Sequence, residues 1–354
     1  MIVDCAVYRD GRRRQSGPMA VEEIASQREV GDFVWLGTVD PTVEELGRIR
    51  AVFGLHELAV EDAQEFHLRP KIEQFDATRE SGEPVQLIIL RTARYDDGRE
   101  EIDFGEISVF VADDFVITVR QGAASDLRGA RARLERRPEL LRTGTQAVVW
   151  AILDTVVDGY APVIAEVERD IEQLEATVFS GAVAPTERIY HLRREVSDFY
   201  RAVHPLQAVL TTLERAEPEP LAPYLRDVAD NLALVNEEVA AQRDLLSTVL
   251  QANIAVVAAE QTAVGVQQNA TIETLTKLST IFLPLTFVTG FFGQNFGWLV
   301  DHIGSGQSFF FYGLGALLLP NLITIYAIPT ACIAAAFTLY ALRYLGIFRR
   351  TEPH

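Results

Sequence analysis

The chain has 354 residues, is 48% hydrophobic and carries a formal net charge of −18. Such an acidic protein lacks the clustered Lys and Arg that phosphate contacts need, so nucleic acid is not expected as a partner, whereas its carboxylates concentrate cations. The two cysteines, Cys5 and Cys332, lie in different halves of the chain and support neither a disulfide framework nor a Cys-rich zinc site.

Residues 1–122 have the pattern of a mixed α and β domain. Strands are predicted in Asp32–Asp40, Val85–Tyr95 and Ile107–Arg120, with a hairpin at Ala112–Asp114, because β-branched and aromatic runs there are punctuated by turn residues. A helix is predicted between the first two strands, with Thr42 as its N-cap three residues before Glu45. The N-terminus lacks a signal-peptide pattern, so this domain is expected in the cytoplasm.

Residues 123–223 are predicted to form a cytoplasmic helical hairpin. Its two helical segments, Gly144–Phe179 and Thr186–Ala216, are separated by the breakers Gly181 and Pro185. After it, one helix of about 68 residues, roughly 100 Å long, is predicted from Leu225 to Phe292. Its first part, residues 224–276, forms a long stalk.

The stalk carries a heptad seam with alternating steps of three and four residues. The seam comprises Leu225, Val228, Leu232, Val235, Val239, Gln242, Leu246, Val249, Asn253, Val256 and Glu260. Its polar members either fix the register of packing or face water. Two partners for the seam remain open: the two preceding helices of the same chain, or other copies of the chain.

The last quarter of the chain has the composition of a membrane domain. From Leu278 to Phe348 the only side chains ionised at neutral pH are Asp301 and Arg343. Two spans are predicted, at residues 277–299 and 321–346, with an outer loop or interfacial segment at 300–320. A basic tail follows at 347–354. The predicted basic cytoplasmic ring consists of Lys277, Arg343, Arg349 and Arg350, and it puts both termini inside.

Small polar residues align on one face of the first predicted span. The face comprises Asn269, Ile272, Thr276, Ser279, Leu283, Thr286 and Gly290. In a membrane such a face meets another helix or a watery path, and both interpretations stay open on this pattern alone. Beyond the span, Asp301 is the one fixed negative charge of the outer segment, where it either attracts cations or is plain surface.

Several segments together resemble one transporter family. They are FVWLGTVDPTVEEL, FGLHELAVEDAQEFHLRPKIEQF, LRTARYDDG, FGEISVFVADDFVITVRQG and TIETLTKLSTIFLPLTFVTGFFGQNFGWL. In order and spacing these resemble the bacterial CorA-type magnesium and cobalt transporters of the metal-ion-transporter superfamily. The resemblance implies a homopentameric funnel in the bacterial plasma membrane, with an α+β cytoplasmic domain and a long stalk helix that continues into the first of two transmembrane helices.

The resemblance also implies roles for individual residues. Gly293, Gln294 and Asn295 would form the pore entrance, and the pore would be lined by Asn269, Ile272, Leu275, Ser279, Leu283 and Thr286. Cytoplasmic divalent ions would hold the closed state, and the candidate ligands are Asp227, Asp230, Glu237 and Glu238 of one chain with Asp96 or Asp97 of another. Mg²⁺ would be both substrate and regulatory ligand, with no catalytic cofactor.

The entrance motif departs from the family pattern. The usual Gly-Met-Asn is here Gly293-Gln294-Asn295, and zinc-transporting relatives also vary the middle position, so Mg²⁺, Co²⁺, Ni²⁺ and Zn²⁺ remain as substrates. An enzyme is not expected, because His56 and His67 show no metal-binding spacing such as HExxH. A non-conducting, membrane-anchored cation sensor is the alternative class, but it gives no reason for polar residues in the first span.

Overall fold

The computed structural model describes residues 1–16, 21–27, 29–76, 83–123, 126–181, 184–216, 220–293, 332 and 334–340. The chain divides into two compact units, Met1–Val257 and Ala258–His354. The first unit contains the sheet and most of the helices. The described part of the second unit is the continuation of the last long helix and a short helical stretch at residues 334–340.

A seven-stranded mixed sheet organises the first unit. Its strands are β1 (Ile2–Arg9), β2 (Arg12–Ser16), β3 (Phe33–Val39), β4 (Lys71–Phe75), β5 (Val85–Asp96), β6 (Glu101–Ala112) and β7 (Phe115–Gly122). Their order in the sheet is β2-β1-β3-β7-β6-β5-β4. Strands β3 and β7 pair in parallel, and the other neighbouring pairs are antiparallel. The predicted strands and the mixed sheet are confirmed, and the run Ile107–Arg120 covers two strands, β6 and β7, which meet at the predicted hairpin.

Helices account for most of the remaining described chain. They are α1 (Val21–Gln27), α2 (Val43–Phe53), α3 (Glu57–Asp62), α4 (Arg128–Glu135), α5 (Pro138–Leu141), α6 (Thr145–Asp158), α7 (Tyr160–Phe179), α8 (Thr186–Val203), α9 (Leu206–Ala216) and α10 (Ala222–Gly293). Each of the two predicted segments of the hairpin is in fact two helices. Gly159 separates α6 from α7, and His204 with Pro205 separates α8 from α9.

Both faces of the sheet are covered, which explains why its central strands are apolar at nearly every position. Successive side chains of a strand point to opposite faces. Accordingly Trp35 belongs to the core formed with α4–α10, whereas Leu36 belongs to the core formed with α1–α3. Both side chains are almost completely buried. The helical hairpin and the sheet therefore share one continuous core.

The start of α2 confirms the predicted capping box. The Thr42 hydroxyl accepts a hydrogen bond from the Glu45 backbone N–H at 3.2 Å, and the Glu45 carboxylate accepts from the Thr42 N–H at 3.0 Å. The N-terminal ammonium group of Met1 also lies 2.9 Å from that carboxylate. The helix ends at Gly54, whose φ of 63° is left-handed, a conformation that glycine adopts without steric cost.

Helix α10 confirms the predicted long stalk. The structure also shows what the first part of its heptad seam packs against. Leu232, Val239 and Leu246 are fully buried in the core of the first unit. Two of its polar members, Gln242 and Asn253, also bind the same chain, and the Gln242 amide donates to the Ile164 carbonyl oxygen at 3.0 Å. The seam therefore packs within the chain over this part, as the first of the two interpretations predicts.

Asn253 fixes the register of α10 against the turn between α7 and α8. Its side-chain oxygen accepts from the Ala184 N–H at 3.1 Å, and its amide nitrogen donates to the Ala184 carbonyl at 3.2 Å and to the Thr186 hydroxyl at 3.3 Å. The residue is fully buried. Only a side chain with both a donor and an acceptor satisfies both backbone groups of Ala184.

Replacing Asn253 by alanine is expected to lower the free energy of unfolding by about 1–3 kcal/mol, because it leaves buried backbone groups of Ala184 without partners. The exposed neighbour Gln251 provides the control, and its alanine variant is expected to change stability by less than about 0.5 kcal/mol. Urea denaturation of the full chain in detergent measures both. Equal stability of the two variants would contradict the assigned role of Asn253.

Candidate functional site

The part of α10 that follows Val257 exposes apolar side chains that a single helix in water is not expected to carry. Ile272, Leu275 and Leu283 are 59%, 58% and 74% exposed. These are three of the six residues predicted to line a pore. Apolar exposure of this extent along one helix indicates a surface that meets lipid or further helices.

Two shallow furrows run along this part of α10 and join at Ile272. One furrow is lined by Ile272, Leu275, Thr276, Ser279, Thr280 and Leu283. The other is lined by Val264, Gln267, Gln268, Thr271 and Ile272. Four of the six residues predicted to line a pore therefore share one face: Ile272, Leu275, Ser279 and Leu283. Of the other two, Asn269 lines neither furrow, and Thr286 lies beyond Leu283 along the helix.

The threonine hydroxyls of this helix present oxygen atoms rather than hydrogens to their surroundings. Thr276 donates to the Ile272 carbonyl and Thr280 to the Thr276 carbonyl, each at 2.8 Å. Thr286 donates in the same way to the carbonyl of Phe282. Because each hydroxyl has one hydrogen, its remaining capacity is that of an acceptor. Such oxygens suit the water shell of a cation.

Pro284 adds one further acceptor beside the same face. Proline has no backbone N–H, so the Thr280 carbonyl, four residues earlier, loses its usual helical donor. Thr280 also lines the furrow that ends at Leu283. A backbone oxygen with unused hydrogen-bonding capacity therefore accompanies the threonine hydroxyl at this level of the helix.

Lys277, at the predicted inner end of the first span, is paired within its own helix. Its ammonium nitrogen lies 2.6 Å from a carboxylate oxygen of Glu273, and this hydrogen bond lowers the pKa of Glu273 below its usual value. The pair reduces the charge that Lys277 contributes to the predicted basic ring. The other members of that ring, Arg343, Arg349 and Arg350, lie outside the described residues.

The entrance motif lies at the limit of the described chain. Gly293 is the last residue of α10. Gln294, Asn295 and Asp301 lie outside the described residues, and so does most of the predicted second span. Within that span Cys332 and residues 334–340 are helical. The assigned roles of the entrance residues therefore stay predictions.

The stalk acids proposed as regulatory ligands are exposed. They are Asp227, Asp230, Glu237 and Glu238. Within the described ranges, no group of three or more His, Cys, Asp or Glu side chains converges as a metal site. The sequence interpretation places such a site between two chains, so that pairing stays a prediction.

Asp96 and Asp97, the acids proposed as partners of the stalk acids, differ from each other in their contacts. The Asp96 carboxylate accepts from the Arg99 guanidinium at 2.9 Å and from the Gly98 N–H at 3.0 Å. The hydrogen bond from Arg99 lowers the pKa of Asp96. Asp97 is exposed. Of the two carboxylates, Asp96 would thus have to release an arginine before it could bind a metal ion shared with another chain.

The sequence interpretation missed a buried polar network on the sheet. Arg91 of β5 and Glu106 of β6 are cross-strand partners, with a guanidinium nitrogen 3.8 Å from a carboxylate oxygen. Glu106 also accepts from the backbone N–H of His67 at 2.7 Å, and the Arg91 guanidinium carbon lies 4.3 Å from the centre of the Phe66 ring. The network attaches the loop after α3 to the sheet.

Burial is nearly complete in this network, since Arg91 is 4% and Glu106 0% exposed. Desolvation raises the pKa of Glu106, against the lowering effect of His67 and Arg91. The sequence signal for this network was a charged residue inside each of two apolar strands. Buried charges are normally paired, so two such residues indicate an ion pair. This group lies in the first unit, which does not contain the furrows.

Two helical stretches of the described chain are apolar and long enough to cross a membrane. In Thr145–Phe179, which covers α6 and α7, 67% of the most apolar window is buried, whereas in Ala222–Phe287 only 17% is buried. The first stretch is therefore accounted for as core of the first unit. The second is the exposed helix that carries the furrows and the predicted first span.

Comparisons with known proteins agree with one another. The family model described as CorA-like Mg²⁺ transporter protein matches residues 30–328. The chain is 26% identical over 288 residues to the cobalt/magnesium transport protein CorA of Thermotoga maritima, covering 79% of this chain and 78% of that one.

Two solved structures share the fold. The full-length CmaX protein superposes with a TM-score of 0.57 at 22% identity and covers 97% of both chains. The CorA magnesium transporter from Methanocaldococcus jannaschii superposes with a TM-score of 0.56 at 17% identity and covers 99% of both. The arrangement of sheet, helical hairpin and long helix is thus common to the three chains.

Proposed function

The chain belongs to the family of CorA-like Mg²⁺ transporter proteins, and on that premise we propose that it is a divalent-cation channel selective for Mg²⁺ that also passes Co²⁺ and Ni²⁺. In this proposal five copies assemble around a pore lined by the first span. The observation that carries it is the exposed face of α10, where hydroxyl oxygens alternate with apolar side chains and no ionised group lines either furrow.

The chemistry of that face suits a hydrated divalent ion. Mg²⁺ prefers oxygen ligands and loses its water reluctantly, so a wall of acceptors holds it through its water shell. Five copies of Asn295 and of the Gly293 carbonyl would receive the ion at the entrance. Because none of these groups is charged, the ion meets no site that binds it too tightly to leave.

Apolar rings would close the same path. Ile272, Leu275 and Leu283 from five chains form narrow apolar levels, and such constrictions block ions by excluding water. The hydroxyls of Thr276 and Thr280 lie between these levels on the same helix. Conduction then requires the rings to widen enough for a continuous water column.

The proposal also covers how the channel is closed and in which membrane it lies. Cytoplasmic divalent ions bound between Asp97 of one chain and stalk acids of a neighbour would stabilise the closed pore, so that a high internal Mg²⁺ concentration stops its own entry. The protein would lie in the bacterial plasma membrane with both termini in the cytoplasm. Asp301 would raise the cation concentration at the outer mouth.

Ion flux into proteoliposomes tests the proposal, with Mg²⁺, Co²⁺, Ni²⁺ and Zn²⁺ compared in parallel. The expected result is Mg²⁺ flux that falls several-fold in the Asn295→Ala variant, because the entrance loses its ring of amides. A Gln294→Met variant shows whether the altered middle residue changes the order of ions. Native mass in detergent reports the number of subunits.

Each of the other outcomes is informative. Flux that Asn295→Ala leaves unchanged would remove Asn295 from the entrance. Zn²⁺ flux that depends on a proton gradient and exceeds Mg²⁺ flux would replace the proposal with a zinc transporter, for which Gln294 is the motivating residue. No divalent flux at all in the intact protein would replace it with a membrane-anchored cation sensor.

A further inference from the structure

A small cavity in the first unit lies between the sheet and helix α4 and is lined by three arginines. Arg120 belongs to β7, and Arg128 and Arg131 belong to α4. Two aspartates, Asp4 and Asp126, also line it. The cavity has a volume of about 30 Å³, which holds roughly two water-sized groups. It therefore accommodates part of a small polar ligand, with the rest of the ligand in solvent.

The position of the cavity in the fold is one at which anions are commonly bound. Gly37 of β3 and Thr118 of β7 pair in the parallel part of the sheet, and both line the cavity. Ligands of such sheets bind at the carboxyl ends of parallel strands. Helix α4 is the next helix after β7, and its first residue, Arg128, lines the same cavity. The N-terminus of a helix attracts negative charge.

Arg131 is buried beneath the cavity and is not fully hydrogen-bonded. It is 6% exposed, and its guanidinium carbon lies 4.2 Å from the centre of the Trp35 ring. Its Nη2 atom donates to the Trp35 carbonyl oxygen at 3.1 Å. Its Nη1 atom forms an ion pair with Asp4 but has no hydrogen-bond partner among the described groups. A buried donor of this kind indicates room for a further acceptor.

The charges around the cavity do not balance. Desolvation lowers the pKa of Arg120, Asp126 raises it, and the nearby guanidinium groups of Arg128 and Arg131 lower it again. The three arginines thus repel one another, and the two aspartates that line the cavity leave one positive charge without a counterpart. This excess is notable in a chain with a net charge of −18. A bound anion would offset it.

Asp126 already makes contacts that the oxygen atoms of an anion would make. Its carboxylate accepts from the Arg128 backbone N–H at 3.0 Å. It also lies 3.0 Å from the Arg128 Nε atom and 3.6 Å from an Nη atom of Arg120. The Asp126 side chain is 54% exposed, so it is free to turn into solvent. The place between these two arginines therefore suits an oxyanion that is able to displace it.

We propose that this cavity binds a phosphate group, either free phosphate or the terminal group of a nucleotide, which displaces the Asp126 carboxylate and contacts Arg120, Arg128 and Arg131. A guanidinium group binds phosphate through two parallel hydrogen bonds. A phosphate group carries up to about two negative charges at neutral pH, more than the carboxylate that it replaces. The site lies in the unit without the furrows, and the proposal does not depend on the proposed function.

Calorimetric titration of the full chain in detergent tests the site, with inorganic phosphate and ATP as separate probes in a buffer free of divalent cations. Binding is expected, and the tighter probe shows whether the free anion or a nucleotide is the better ligand. Arg128→Ala is expected to weaken binding by about fivefold or more, because a charged two-bond partner is lost. Arg136 provides the control, since it is exposed and lies about 12 Å further along α4. Arg136→Ala is expected to change the affinity by less than about twofold.

Asp126→Asn gives a prediction of the opposite sign. Asparagine keeps an oxygen that accepts from the Arg128 N–H but removes the negative charge that competes with the ligand. Phosphate is therefore expected to bind about threefold more tightly or better. A loss of folding would weaken binding, so it does not produce this gain.

Three results would overturn the site. The first is no binding of either probe to the unmodified chain. The second is equal weakening in Arg128→Ala and Arg136→Ala, which would place the anion on the basic surface of α4 in general. The third is weaker binding to Asp126→Asn than to the unmodified chain. None of these measurements involves ion flux, so each result leaves the proposed channel unaffected.

Discussion

Replacing Glu106 by alanine is expected to lower the free energy of unfolding by about 3–5 kcal/mol, since it leaves the buried guanidinium of Arg91 without its carboxylate. Arg91 is 4% exposed, and its Nε and Nη1 atoms have no hydrogen-bond partner among the described groups. The variant also removes the acceptor of the His67 N–H. Urea denaturation of the full chain in detergent, followed by tryptophan fluorescence, measures the loss.

A double variant distinguishes the unpaired charge from general loss of packing. Arg91→Met with Glu106→Ala removes both charges and keeps an unbranched side chain between the rings of Phe66 and Phe104. Removing both partners of a buried ion pair costs much less than removing one, so the double variant is expected to be more stable than Glu106→Ala alone. If both variants are equally unstable, the ion pair is not what Glu106 contributes.

Replacing Leu283 by serine is expected to raise divalent flux at high internal Mg²⁺ roughly tenfold, equivalent to a conduction barrier lower by about 1.4 kcal/mol. The physical reason is that an apolar ring excludes water from a narrow level of the pore, whereas a ring of hydroxyls admits it. Leu283 is 74% exposed on the furrow face of α10. Under the proposed regulation, Mg²⁺ loaded into the proteoliposomes would hold the unmodified channel closed, and the increased leak would then be visible against a low background.

Leu285 supplies a matched control on the same helix. It is the same residue type, is 54% exposed and lies about 200° around the helix from Leu283. Leu285→Ser is expected to leave the leak at the level of the unmodified protein. A leak of equal size in both serine variants would show that loosened helix packing, rather than a wetted ring, admits the ions.

The long helices could be predicted because their signal is local and repeated. The seam of α10 was visible from Leu225 onward, and the helix indeed runs from Ala222 to Gly293. The breaks at Gly159 and at His204 with Pro205 were missed because the apolar spacing continues across both points, although glycine and proline are themselves local signals for a break.

Two of the strands that were missed, β2 and β4, carry weak or misleading local patterns. Strand β2 has the sequence RRRQS, whose charges resemble a loop, and it is a strand because β1 supplies its hydrogen bonds. Strand β4, KIEQF, is likewise a polar edge strand that pairs only with β5 in the described sheet. Edge strands face water on one side, so their composition reveals little about their conformation.

Within the candidate site, the types of residue that share one face could be predicted from the sequence better than the direction in which each residue points from the helix axis. The alternation of apolar and hydroxyl residues along the first span identified Ile272, Ser279 and Leu283 correctly as members of one face. Asn269, which the sequence placed on the same face, lines neither furrow, and its position relative to a pore stays a prediction. The partners of Asn253 were equally inaccessible, since they are backbone groups of a turn 69 residues away.

Pro284 gives the first span a mechanical property that the rest of α10 lacks. A helix bends most easily where a backbone hydrogen bond is already missing, and in the described helix interior that place is between Thr280 and Pro284. Leu283 lies inside this hinge. In the proposed channel, the segment carrying Ile272 would tilt at this hinge relative to the segment that ends at Gly293, so the apolar levels on its inner side would widen without a rearrangement of the entrance motif.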